Sequence, residues 1–274
     1  MNVSGKTRVV ALLGWPVEHT LSPRMHNAAF EALGLDYCYV AFAVHPEGVG
    51  AAVAGIRALG LAGGNVTVPH KERVIAHLDE VDEEARFIGA VNTFVGREGR
   101  LVGYNTDGRG FMRSLEEAGV AASGAHVAIV GTGGAARAIG YYLAREAARL
   151  DLFDIDRARA EALARDLGTV GRDVRLAPDT ACVAEATIVV NATPLGLRPT
   201  DPLPFDPARL RADATVIDLI YRETPLLRAA RERGLRTLDG LGMLLWQGVL
   251  AFRLWTGVLP PVDLMRERLR SAIG

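Results

Sequence analysis

The chain has 274 residues, 49% of them hydrophobic and 23% charged, and a formal net charge of −1. That is enough length for two domains with an ordinary globular balance. Near-neutral charge excludes a strongly basic surface of the kind that binds nucleic acid or an anionic membrane.

In chain order, Val9 to Leu13 predicts a strand, and Ser22-Pro23 the cap and first position of a helix that closes at Gly34. A strand from Tyr37 to Val44, a helix from Pro46 to about Leu59, a strand near Val66 and a helix opened by Pro69 complete the first stretch. The second half reads strand 126–130, helix 134–148, strand 150–154, helix 156–167, strands 187–190 and 215–219, helix 225–233 and strand 235–238, then helices 241–256 and 262–272. Strand and helix alternate without repeats, so the fold class is α/β with a Rossmann-like, doubly wound second domain. The expected division is an α/β substrate-binding domain over 1–106, completed by 241–274, and a dinucleotide-binding domain over 107–240. Val9 to Leu13 is too short for the apolar part of a signal peptide, and Leu241 to Trp255 is too short for a bilayer and carries Gln247 and Arg253. Cys38 and Cys182 lack metal-ligand spacing and predict buried free thiols in a reducing cytoplasm.

The turn Gly131-Thr132-Gly133-Gly134-Ala135-Ala136, between the apolar run Val127 to Val130 and an alanine-rich helix, has the form of a dinucleotide-phosphate site. Gly131 allows the tight turn, Gly133 the approach of a pyrophosphate, and Ala136 the packing of helix on strand, with the helix N-terminus facing the anion. Asp154, 23 residues after Gly131 and at the end of the next apolar run, stands where such folds keep the acid for the adenosine ribose. A tight connection without a ligand is the plain alternative.

Of 31 basic residues only Lys6 and Lys71 are lysine; all the others are arginine. Only an amine can release a proton near neutral pH once desolvated, which makes Lys71 the first candidate for acid–base chemistry, with a surface lysine in the first turn of a helix as the plain alternative.

With these residues in view, Asn65 to Lys71, Gly89 to Thr93, Gly103 to Gly108 and Asn191 to Gly196 resemble the signature segments of the shikimate dehydrogenase family. His19 to Pro23, Gly131 to Arg137, Tyr221 and Gly240 to Gln247 fit as well, collinearly over nearly the whole chain. The resemblance implies a two-domain enzyme, monomer or homodimer, that reversibly reduces 3-dehydroshikimate to shikimate with NAD or NADP; the histidines show no metal-ligand spacing, and hydride transfer to a ketone needs no metal. It implies Lys71 and Asp107 as the catalytic pair, either of them carrying the proton, with a helix cap as the alternative for Asp107. Thr67, Asn92 and Gln247 match positions that bind ring hydroxyls, and Thr20, Ser22 and Tyr221 those near the substrate carboxylate. An amide such as Gln247 in an apolar helix costs stability unless something bonds it. On the dinucleotide side the resemblance adds Thr193, Leu219 and Gly240 to Gly131, Thr132, Gly133, Gly134 and Ala135.

Three departures qualify it. Thr20 stands where serine is usual, which bears on whether quinate is also a substrate. The stretch after Tyr221 is about two residues shorter than in the family. Asp154-Ile155-Asp156 replaces the Asn-Arg-Thr segment of NADP-dependent members, so a carboxylate favours NAD and repels a 2′-phosphate, unless Arg157 or Arg159 clamps that phosphate instead. Another dehydrogenase of the wider fold group, and a non-catalytic nicotinamide- or substrate-sensing module, are the competing functions.

Overall fold

A computed structural model of the protein describes residues 3–198 and 200–273. Met1–Thr106 with Gln247–Gly274 forms one compact unit, and Asp107–Trp246 the other.

The first unit holds β1 (Arg8–Gly14), α1 (Ser22–Ala32), β2 (Tyr37–Ala43), α2 (Val49–Ala58), β3 (Gly63–Val66), β4 (Glu80–Val81), α3 (Glu83–Ile88), β5 (Thr93–Arg97) and β6 (Arg100–Tyr104). Its sheet has the order β2-β1-β3-β5-β6-β4. β1, β2 and β3 pair in parallel, while β5 runs antiparallel to both β3 and β6. Ala11, Leu13, Val53, Val66 and Phe94 are fully or almost fully buried in the core beneath α2. β5 and β6 join through Glu98 and Gly99, whose φ values of 52° and 77° meet the requirement of a type I′ hairpin turn.

The second unit contains α4 (Asp107–Glu117), β7 (His126–Val130), α5 (Gly134–Glu146), β8 (Arg149–Phe153), α6 (Arg157–Gly168), β9 (Val174–Leu176), β10 (Ile188–Asn191), β11 (Thr215–Asp218), α7 (Pro225–Glu232) and β12 (Arg236–Leu238). All six strands are parallel, in the order β12-β11-β10-β7-β8-β9. Counted from β7 this is the doubly wound Rossmann order, whose switch point falls between β7 and β10. Such a sheet is covered on both faces, and its central strands are accordingly rich in buried apolar residues: Val127, Ala128, Ile129, Val189, Val190 and Val216 are all fully buried.

α8 (Leu241–Thr256) is divided between the units. Its first turns are tied to α4: a Cβ on Gly242 would sit 2.9 Å from that of Ser114, Trp246 Nε1 donates to Glu117 at 3.0 Å, and Arg113 lies over the Trp246 ring. From Gln247 onward the helix packs in the first unit, where Gly248 meets Met25 and Phe252 stacks on Phe30. α9 (Val262–Arg270) follows and packs on α1.

Several expectations need correction. Pro69 does not open a helix: His70 N–H turns back to the Thr67 carbonyl, Val91 N–H takes the Lys71 carbonyl, and only Arg73–His77 coils, as a short 3₁₀ turn. Pro46–Gly48 is likewise 3₁₀ ahead of α2. Leu21, not Ser22, is the cap of α1, and its side chain makes no capping bond. Cys38 and Cys182 are half-buried rather than buried, Cys38 because β2 is an edge strand. Burial, with Asp151 and Asp179 nearby, pushes the Cys182 thiol up to about 11. Among the described residues no helix is long and apolar enough to cross a membrane.

Candidate functional site

In the first unit the parallel strands β1 and β3 end side by side, and the segments after them carry Thr20, Ser22 at the start of α1, Thr67 and Lys71. Thr67 N–H donates to the Leu13 carbonyl at 2.9 Å, and its methyl group occupies the space a Cβ on Gly14 would need, at 2.4 Å. That glycine is required by the close approach. The Lys71 carbonyl accepts Val91 N–H at 2.8 Å, so the lysine is held beside the segment that leads into Asn92. His70, fully buried, anchors the same loop through Nε2 to the Val44 carbonyl at 2.7 Å. Ser22 N–H reaches Thr20 Oγ1 at 3.4 Å, which groups those two hydroxyls.

Asn92 and Gln247 come together although far apart in sequence. Asn92 Nδ2 donates to Thr106 Oγ1 at 2.9 Å and to Gln247 Oε1 at 3.4 Å, while its Oδ1 accepts Thr106 N–H at 2.8 Å and the Thr93 hydroxyl at 3.0 Å. Behind it, Asn65 Nδ2 donates to the Asn92 carbonyl and to Thr93 Oγ1, and Asn65 Oδ1 accepts the Tyr39 hydroxyl at 2.8 Å. Buried amides and hydroxyls thus satisfy one another, which fixes their rotamers and amide orientations. Tyr39, Asn65, Thr93 and Thr106 were not among the site residues read from sequence. The available signal was an amide or phenol inside an otherwise apolar strand, since such groups are buried only with partners.

In the second unit Gly131 closes β7 with φ +95°, and a Cβ there would lie 2.8 Å from the backbone of Ala192 and Thr193. The glycine turn therefore abuts the loop after β10 at the switch point of the sheet, where open α/β sheets bind their ligands. Gly133 caps α5 and Gly134 is its first residue; a Cβ on Gly134 would meet nothing within 4 Å. An anionic group fits here, with open space over a helix N-terminus whose first amides point outward. Thr193 is held by Asn191 Oδ1, which accepts both its N–H and its hydroxyl. Asn191 Nδ2 in turn donates to Asp218 at 3.1 Å, and Asp218 also accepts the Thr224 hydroxyl at 2.8 Å and Ile220 N–H. This buried carboxylate, raised by desolvation against the bonds that favour its charge, ties the Thr193 loop to the segment bearing Leu219 and Tyr221. Gly240 packs on the Leu219 carbonyl, 2.0 Å from where its own Cβ would be. Burial likewise pushes the Tyr221 hydroxyl up.

Asp154 follows β8. Its Oδ2 accepts Thr132 N–H at 2.7 Å and the Thr132 hydroxyl at 2.8 Å, and its Oδ1 accepts Asp156 N–H at 3.0 Å. Partial burial opposes the charge, but these bonds and the nearby Arg159 together hold the carboxyl below its ordinary value. The Arg159 guanidinium lies 3.5 Å from where a Gly133 Cβ would stand, against the glycine turn. Arg157 points elsewhere, paired with Glu161 on the exposed face of α6 at 2.9 Å. Asp107, buried, is the first residue of α4, whose next residue Gly108 packs on the Ala138 carbonyl of α5.

A doubly wound parallel sheet with a glycine turn at its switch point, joined to a second α/β unit with a wired polar site, defines a two-domain nucleotide-dependent oxidoreductase. The chain belongs to the shikimate dehydrogenase family. Residues 12–94 match the shikimate dehydrogenase substrate binding domain, and residues 240–270 the shikimate 5′-dehydrogenase C-terminal domain. It is 50% identical over 281 residues to a shikimate dehydrogenase (NADP(+)) of Symbiobacterium thermophilum, covering 98% of this chain and 96% of the relative. A solved shikimate dehydrogenase in complex with NADP+ superposes with TM-score 0.93 at 40% identity, covering 100% of this chain and 98% of that one. The shikimate 5-dehydrogenase of Listeria monocytogenes in complex with shikimate and NAD gives 0.90 at 38% identity, covering 97% of this chain and 98% of that one.

Proposed function

We propose that this chain is a shikimate dehydrogenase, reversibly reducing 3-dehydroshikimate to shikimate with a nicotinamide dinucleotide. The observation that carries the reading is the wired set Asn92, Thr106 and Gln247 beside the Lys71 loop, because neutral amides and hydroxyls are what a polyhydroxylated substrate requires. When bound, the dinucleotide supplies the hydride in reduction and takes it up in oxidation. Negative charge then builds on the ketone oxygen, and Lys71 donates the proton there, accepting it back in the reverse direction. Asp107 orients the reacting hydroxyl as a carboxylate acceptor. Thr67, Asn92 and Gln247 take the ring hydroxyls, and Thr20, Ser22 and Tyr221 the carboxylate end. A spectrophotometric assay with shikimate and either dinucleotide tests the activity; no reduction of either would sink it and favour a sensing module.

For the dinucleotide we favour NAD. Asp154 already accepts three bonds from its own chain, which leaves one lone-pair position on Oδ1 for a ribose hydroxyl. One charge-assisted bond is worth about 1.5 kcal/mol, roughly tenfold, and repulsion of a 2′-phosphate adds to it. Wild type is expected to show higher kcat/KM with NAD, and Asp154→Asn with Ile155→Arg to reverse the order. The second reading, NADP, has Arg159 in its favour, since its guanidinium lies against the glycine turn. Under that reading wild type prefers NADP and Arg159→Ala weakens NADP alone.

A further inference from the structure

β10 and β11 are parallel neighbours, and their last residues, Asn191 and Asp218, lie side by side in register. Both are fully buried, as is Thr224, the cap of α7. The Asp218 carboxylate accepts from three donors: Asn191 Nδ2 and Ile220 N–H on Oδ1, each at 3.1 Å, and the Thr224 hydroxyl on Oδ2 at 2.8 Å. Thr224 Oγ1 in turn accepts Leu227 N–H, so one hydroxyl serves both the helix and the carboxylate.

These bonds fix which way the Asn191 amide faces. Its Oδ1 accepts the N–H and the hydroxyl of Thr193 at 3.0 and 2.7 Å, and its Nδ2 donates to Asp218 and to the Leu195 carbonyl, both at 3.1 Å. A flipped amide would set its oxygen against a carboxylate and a carbonyl, and its NH2 against an N–H. Thr193 is thereby locked, its hydroxyl donating to Asn191 and accepting Leu195 N–H at 3.1 Å. Leu195 belongs to the same short loop as Thr193, so of the two acceptors of Asn191 Nδ2 only Asp218 ties that loop to another strand. Asp218 holds the next loop as well. Leu219 N–H donates to the Asn191 carbonyl at 3.1 Å, and the residue after it is pinned by its N–H on the carboxylate. The two loops run close together: a Cβ on Gly196 would lie 3.3 Å from Thr224 Cγ2 and 3.4 Å from Ile220 Cδ1.

We propose that Asp218 is a positioning residue for the dinucleotide, acting through the Asn191 amide on Thr193 and through Ile220 N–H on the backbone of Leu219. The inference rests on the reading of Thr193 and Leu219 as dinucleotide contacts given above. Burying a carboxylate is costly, and the bonds that offset the cost here go to the two loops and not to the strand ladders. Loops ordered ahead of binding lose less freedom when the ligand arrives, which is worth about two- to tenfold in affinity for each side chain held.

The test is the dissociation constant for NAD and for NADP, measured by isothermal titration without turnover, in Asp218→Ala and Asp218→Asn. Asp218→Ala is expected to raise it about tenfold for whichever dinucleotide wild type binds more tightly, with the number of sites per chain unchanged. Asp218→Asn keeps an oxygen where Asn191 and Ile220 donate, and should stay within about threefold of wild type. A role in stability alone would lower the melting temperature and the number of competent sites but leave the constant of the remaining sites as it was. That result overturns the proposal, as does an equal loss in both variants. Should Asp218→Ala fail to fold, Asn191→Ser leaves the other two donors on the carboxylate and breaks the link from its far end, a serine hydroxyl being too short to reach both Thr193 and Asp218. A dissociation constant raised about tenfold then supports the proposal, and an unchanged one overturns it. Wild type is the control for the underlying reading: binding of neither dinucleotide would sink that reading and this proposal with it, whereas wild-type binding with an unaltered Asp218→Ala variant would sink only the role of Asp218.

Discussion

The two units solve recognition by opposite means. The first builds its site from side chains that bond one another: Asn92 meets Gln247 across 155 residues and Tyr39 meets Asn65 across 26. The second builds its site from backbone, with Gly131, Gly133 and Gly134 within four consecutive residues and a helix N-terminus just after them. Substrate hydroxyls differ in number and position and need individually placed partners, whereas a diphosphate needs only outward amides and room. Damage to the first site should therefore fall on substrate terms and damage to the second on dinucleotide terms.

The largest effect is expected at Lys71. Lys71→Ala should lower kcat by about 10²–10⁴ while the KM for the dinucleotide holds, and Lys71→Arg should not rescue it, because guanidinium keeps its proton and has another shape. Steady-state kinetics in both directions check this; a variant keeping most of its kcat removes Lys71 from the mechanism. The counterpart in the second unit is Gly131→Ala. At φ +95° an L-residue is strained by about 1–3 kcal/mol, and its Cβ would press on the Ala192–Thr193 backbone at 2.8 Å. Its kcat/KM for the dinucleotide should fall roughly 10- to 100-fold. Isothermal titration should show shikimate affinity unchanged, and a loss of shikimate binding instead would break the division between the sites.

The same contrast explains what was legible in the sequence. The strand, glycine turn, helix and acid from Val127 to Asp154 were readable because every constraint in them is local, set by φ at Gly131 and by apolar runs on either side. The β5–β6 hairpin was missed because Glu98, not asparagine or glycine, takes the first left-handed turn position. The short 3₁₀ coil after Pro69 was read as a helix because a proline that starts a turn and one that starts a helix have the same sequence signature. In the site, Asn92 and Gln247 were singled out as single residues, but Tyr39, Asn65 and Thr106 acquire meaning only through partners that the topology supplies. Asp218 is of the same kind: a carboxylate ending an apolar strand whose role is set by Asn191 and Thr224.

A smaller effect separates the units by acid. His26 in the first unit is fully buried among Tyr39, Phe30, Phe252 and Trp255, with neither ring nitrogen bonded to the protein, and desolvation lowers it from 6.5 to about 3. The unfolded chain therefore takes up a proton below pH 6.5 that the folded chain refuses until about pH 3. Stability from this group is complete above pH 6.5 and is lost as pH falls toward 3, at up to about 1.4 kcal/mol per pH unit. Asp218 in the second unit, raised by burial, acts in the other direction: its contribution improves as pH falls through its folded-state value. Fluorescence of Trp255, 5.1 Å from His26, should report unfolding of the first unit at progressively lower denaturant between pH 6.5 and 4.5. His26→Phe should flatten that dependence, and an unchanged slope would show that His26 is not its source.

The smallest expected effect tests how finely the first site is shaped. Thr20 contributes one hydroxyl, 3.4 Å from Ser22 N–H, and one methyl group that serine would lack. Thr20→Ser keeps the hydroxyl and removes the methyl, and a single methyl in a pocket is worth about 1–3 kcal/mol at most. Shikimate kcat/KM should stay within about tenfold of wild type, since the amide and hydroxyl partners of the ring remain in place. Quinate, with an additional hydroxyl on a saturated ring, should be turned over more slowly than shikimate by wild type. If the methyl helps to exclude it, Thr20→Ser should narrow the gap. A rate table of both substrates against NAD and NADP for the two proteins measures this directly. Quinate exceeding shikimate in wild type would mean that the bulk at Thr20 favours a saturated ring, changing the preferred substrate while leaving the Lys71 chemistry as it stands.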